Sequence, residues 1–220
     1  MLKRTFQRVQ AIKTRSWAQV MGILLHDRVF CMYESKQEVL AKAMNQVSRG
    51  GITDLTFSGM AAVLELTPEA LKSLFPNSAS MNVAITAESG RRLLTALQNA
   101  SSSSDRVISA IAIAYLTFAQ AEPSIFSLGQ TALLLSMKGS CDVPLWQFLL
   151  TNVRRQYAHD SSVHAALALL ALLNGLALLS SKKAVDVNGL FDALSLGVNA
   201  WLMAADFNEN KSLPMNHNPI

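Results

Sequence analysis

The chain has 220 residues, half of them hydrophobic and 15% charged, which is enough apolar side chain for a large core and excludes a disordered tail or a coiled-coil rod. Its two cysteines, Cys31 and Cys141, are far apart and form neither a disulfide framework nor a metal cluster, so a reducing cytoplasm is the expected setting. The net charge of +4 belongs to residues 1–35, where six basic side chains face two acidic ones; the other thirteen basic and thirteen acidic residues balance, which excludes a general affinity for nucleic acid over the whole chain.

Residues 1–35 read as a basic N-terminal extension, either a flexible arm able to touch phosphates or an over-called gene start ahead of Met32. Helical periodicity begins after Ser35. Val39, Leu40, Ala43, Met44 and Val47 recur at three and four, Ser35 with Glu38 spells a capping box, and Gly50-Gly51 supplies a stop. Thr56 then caps a short helix through Phe57, Met60, Ala61 and Leu64. Thr67 caps another, with Pro68 at its first position and Leu71, Leu74 and Phe75 on its apolar face, and Pro76-Asn77 ends it. Two helices of about two turns joined by about three residues read as a helix-turn-helix.

Longer helices follow. They are expected over 79–99, from a cap at Asp105 to Ala121, from Pro123 to about Met137, from a cap at Asp142 to Tyr157, from Ser161 or Ser162 to Leu179, and from a cap at Asp186 to about Ala205. Strand and hairpin signals are nearly absent. The fold class is therefore all-α with about nine helices: a head at 36–81, a larger body at 82–206, and a polar tail at 207–220. Ala165–Leu179 is apolar apart from Asn174 and Gly175, but it falls short of a membrane span, so burial at a subunit interface is the better expectation and no membrane partner is expected.

Catalytic signatures are missing. His159-Asp160-Ser161 has triad residue types, but adjacent residues do not converge as a triad must, and His159 and His164 lack further metal ligands nearby. No phosphate-binding loop, dinucleotide fingerprint or nucleophile elbow occurs. An enzyme is not expected, nor a metal or cofactor.

Thr56–Met81 carries a more specific pattern. Gly51, Thr56, Met60-Ala61, Glu65-Leu66-Thr67, Lys72-Ser73-Leu74-Phe75 and Ser78–Met81 run in gapless register with the head of the TetR/AcrR family of bacterial regulators, which this chain resembles. Tyr115, Phe118, Ala119, Pro123 and Phe126 resemble a common segment of that family's body, and the last two helices resemble its dimerisation pair. The resemblance spans about residues 36–206, specific in the head and generic in the body. It implies operator DNA contacted by Thr56, Thr67, Pro68, Glu69, Lys72 and Ser73, and a small apolar effector held among Tyr115, Phe118, Phe126, Met137, Trp146 and Phe148. It further implies a homodimer seam through Leu167, Leu170, Leu173, Leu190, Leu194, Val198 and Trp201, and a repressor as the mode of action. The bland alternative for the aromatic set and for the seam is that they pack as ordinary core within one subunit.

The departures from the family pattern bear on function. Glu65 stands at the turn glycine, Lys72 at the phosphate-contacting tyrosine and Ser78 at the lysine that starts the linking helix. Residues 36–81 hold four basic and four acidic side chains, a net charge of zero. The recognition helix carries no Arg, Asn or Gln for bidentate base contacts. A second expectation follows: an interaction or ligand-binding protein of the same fold that has lost operator binding.

Overall fold

The structure, a computed structural model, describes residues 36–50, 56–157, 161–181 and 186–211. Among these residues it contains nine helices and no strand. The first, α1, is helical over 36–50. It is followed by α2 (Phe57–Val63), α3 (Pro68–Leu74), α4 (Ser78–Ser102), α5 (Val107–Ala121), α6 (Pro123–Met137), α7 (Leu145–Arg154), α8 (Ser162–Ser181) and α9 (Val187–Lys211). The sequence boundaries hold to within three residues, except that α9 runs six residues past the expected Ala205 into the expected polar tail. The Ser35 and Gly51 signals around α1 lie outside the described residues, as do residues 1–35, His159 and Asp160.

Side-chain caps account for the starts of α2, α3, α4 and α9. The Thr56 hydroxyl accepts a hydrogen bond from the Gly59 amide at 3.0 Å, and Thr67 accepts from Ala70 at 3.2 Å. Each such cap stabilises its helix by about 1 kcal/mol. Asn77 both stops α3 and opens α4 through a reciprocal capping box with Ser80. Asp186 caps α9 through the Gly189 amide. Two expected caps are not used: α5 begins after Arg106 and α7 after Pro144, neither with a side-chain cap, so Asp105 and Asp142 do not serve. The ends of these two helices are set by packing rather than by capping.

Two apolar clusters organise the molecule. In the first, Met44 and Val47 from α1, Met60 and Ala61 from α2, and Leu71 and Phe75 around α3 meet Met81 and Ile85 of α4 and Ile125 and Leu128 of α6. The head is therefore seated on the body, and α4 runs unbroken through the expected boundary at 81/82. In the second, α4 to α9 enclose a continuous core centred on Leu93, Leu97, Ile111, Leu116, Leu133, Leu145 and Leu173. Helices α4 and α6 cross at Gly90. A Cβ built there would stand 2.6 Å from the Ala132 Cβ, so the crossing distance requires glycine.

Helix α9 is pinned back onto the body. Tyr157 donates to the Trp201 carbonyl, the two rings stack with centroids 4.6 Å apart, and the Trp201 indole N–H donates to the Ala165 carbonyl at 3.0 Å.

Candidate functional site

The head presents a built helix-turn-helix. Helix α2 ends in a hydrogen-bonded turn: the Glu65 amide donates to the Ala62 carbonyl at 3.2 Å and the Leu66 amide to the Ala61 carbonyl at 2.9 Å. This pair of bonds puts the residue after the cap in the left-handed region. Glu65 occupies it with φ 55°, whereas the equivalent turn after α6 uses Gly139 at φ 68°. The turn geometry is thus kept although its residue is not glycine, at a local strain of about 1 kcal/mol. Leu71 is fully buried beneath α3 and anchors it.

All six residues expected to face DNA lie on the exposed side of the head: Thr56, Thr67, Pro68, Glu69, Lys72 and Ser73. Their chemistry is unequal. Thr56 and Thr67 accept helix-capping bonds and keep only their hydroxyl protons to donate outward. Ser73 donates to the Ala70 carbonyl at 2.7 Å, which turns its proton inward. Lys72 is left as the one basic side chain of α3, three residues after Glu69 on the same exposed helix face.

In the body, Tyr115, Phe126 and Trp146 are buried, while Phe118, Met137 and Phe148 are half-buried against the same core. Tyr115 and Phe126 meet edge-on, 4.9 Å between ring centroids. Phe148 reaches the surface and lines a cleft of about 480 Å³ with Gln147, Thr151 and Arg155. The six aromatic and sulfur side chains are therefore distributed through the core rather than gathered round one opening.

A polar cluster that sequence reasoning did not single out sits at this core. Asn174 Oδ1 accepts from the Tyr115 hydroxyl at 2.5 Å and from Gln130 Nε2 at 2.8 Å, joining α5, α6 and α8. Burial raises the Tyr115 pKa from 10.0 to about 12, with the Gln130 hydrogen bond acting in the opposite direction. The phenol is thus a neutral donor over the physiological range. The signal for this cluster was present in the sequence as the lone asparagine in the apolar run 165–179.

The expected subunit seam needs correction. Leu170, Leu173, Leu190, Leu194 and Val198 are between 0% and 6% exposed within the single chain. Trp201 is half-buried and bonded to its own chain, which leaves Leu167 as the one exposed member of the set. In a helix apolar nearly all round, sequence does not say which stripe faces inward. The outward stripes share only Leu167 with that set: they are Val163, Leu167, Ala171 and Leu178 on α8, and Ala193, Leu196, Ala200 and Met203 on α9. Leu178, Leu196 and Met203 are 59%, 74% and 71% exposed. Helix α8 itself is 20 residues long with mean hydropathy 2.0, so by length and composition it could cross a membrane, contrary to the shorter extent expected from sequence.

No protein-family model and no curated protein sequence matches the chain. Among solved structures it is similar to a protein of unknown function from Rhodococcus sp. RHA1, with a TM-score of 0.65 at 16% identity over 77% of this chain and 94% of that one. It is also similar to the multidrug binding protein EbrR complexed with imidazole, with a TM-score of 0.52 at 16% identity over 74% of this chain and 89% of that one. The chain shares their all-helical fold. At this level of identity the likeness concerns architecture and extends over most of the length of both proteins.

Proposed function

We propose that this protein is a dimeric transcriptional regulator of the TetR type, acting as a repressor, that places α3 against operator DNA and responds to a small apolar effector. The observation that carries this reading is the head. Two short threonine-capped helices are held by the left-handed turn at Glu65, and Pro68, Glu69, Lys72 and Ser73 stand together on the free face of the second. Such a head is built to lay its second helix in a major groove. Support for the effector comes from the body, where Phe148 of the expected aromatic set lines a cleft of about 480 Å³, within the size range of small-molecule sites. The fold shared with a multidrug binding protein agrees with it. Support for the homodimer comes from the two uncovered apolar stripes on α8 and α9, which a two-fold four-helix packing would bury.

One observation favours a second reading. A head of zero net charge with no bidentate base reader on α3 gains little from phosphate neutralisation. The same fold would then serve as an interaction or ligand-binding protein without operator binding. Fluorescence anisotropy with fragments from the gene's own upstream region, titrated with salt, separates the two. Nanomolar, steeply salt-dependent binding that weakens on Lys72→Ala selects the regulator. A folded dimer that binds no genomic fragment selects the alternative.

A further inference from the structure

We propose that the cleft between α5 and α9, together with the adjoining trough between α4 and α5, binds a carboxylate carrying an unbranched apolar tail. The cleft has a volume of about 390 Å³ and the trough about 460 Å³, and Ser104, Ala110 and Ile113 line both. Each lies in the size range of small-molecule sites.

The two halves differ in chemistry. The cleft gathers polar groups around one cation: Arg106, Ser104, Ser109, Ser195 and Asn199. Among the described residues, no carboxylate lies within ion-pair distance of Arg106. Its nearest carboxylates along the chain and on α9, Asp105 and Asp192, are exposed and line neither hollow. The Ser104 hydroxyl accepts from the Arg106 backbone amide at 3.1 Å and keeps its proton to donate. An unpaired guanidinium flanked by hydroxyl donors suits a carboxylate, which takes two parallel N–H bonds from Arg.

The trough has no charge. Its walls are Phe118 and the smaller Ala96, Ala100, Ala114, Thr117 and Ala121, which leave a shallow channel along one side of α5. Ile113, an apolar side chain 49% exposed, stands where the two hollows join. From Ala110 to Ala121 the channel follows the helix for roughly 16 Å at its rise per residue, a length that fits an extended alkyl chain. The hollow uses the side of α9 that carries Phe191, Ser195 and Asn199, whereas the exposed apolar stripe of that helix is Ala193, Leu196, Ala200 and Met203.

The site does not depend on operator binding, and its test reads the ligand alone. Isothermal titration calorimetry of the full chain with decanoate should give saturable binding at one site per chain. Decanol should bind at least ten-fold more weakly, and acetate not detectably. Arg106→Gln should cost decanoate at least ten-fold in affinity and leave decanol unchanged. Ile113→Asn, a change at a half-exposed position, should weaken both tailed probes while the melting temperature stays near that of the parent. Absence of decanoate binding, equal affinity for decanoate and decanol, or decanoate binding that survives both substitutions each overturns the proposal.

Discussion

At the scale of single residues, two side chains hold positions that their chemistry makes costly. Glu65 takes the left-handed conformation at the end of α2, where a Cβ is unfavourable and glycine is not. Glu65→Gly is expected to stabilise the protein by about 1 kcal/mol, seen as a rise in melting temperature; a fall would mean that the glutamate side chain contributes more than its backbone costs. Tyr115 is fully buried with its pKa raised from 10.0 to about 12. Its neutral form is favoured by folding, so this contribution is fully present below pH 10 and is lost as pH rises toward 12. The loss across that window is about 2–3 kcal/mol. Tyr115→Phe should flatten that part of the stability–pH curve in chemical denaturation at alkaline pH, at a cost near neutrality of about 1 kcal/mol for the hydrogen bond to Asn174.

At the scale of helices, what matters is how close two of them come. The α4–α6 crossing depends on Gly90, since any Cβ would collide with Ala132 on a backbone held from both sides by the head and body cores. Gly90→Ala should destabilise the protein by about 1–3 kcal/mol, although alanine is the better helix former by about 1 kcal/mol. If denaturant melts showed a net gain, the two helices would have to be free to move apart. The caps illustrate the same contest between local and tertiary control. Thr56, Thr67 and Asp186 cap as their sequence context indicates, and Asn77, expected only to end α3, also caps α4. Asp105 and Asp142 do not, because α5 and α7 start where their apolar faces meet the core and not where a capping side chain is available.

At the scale of the whole molecule, the unresolved matter of the single chain is its outer face. The most apolar window of α8 is 44% buried inside the chain, and Val163, Leu167, Leu178 and Leu179 are left exposed along it. Covering that face by a second copy is the reading that fits a head of helix-turn-helix build. Leu178→Glu combined with Leu196→Glu changes two side chains that are 59% and 74% exposed, and so should spare the fold. Sedimentation equilibrium should show the parent as a dimer and this variant as a monomer with an unchanged helical circular dichroism spectrum. A monomeric parent, or a variant that stays dimeric, would count against the α8–α9 face as the seam.

The sequence by itself determined the all-helical class, the order of helices, the caps at Thr56, Thr67 and Asp186 and the position of the head, because these depend on local spacing and on residues within four positions of one another. It also indicated the exposed face of α3, since Leu71, Leu74 and Phe75 claim the opposite side. Only the tertiary structure decided which stripe of α8 and α9 turns inward, that Asn174 meets Tyr115 and Gln130, and that Arg106 lines a cleft with Ser195 and Asn199 of α9. Each of these joins residues far apart in the chain. In helices apolar on nearly every side, pattern alone has no preferred face until neighbouring helices cover one of them.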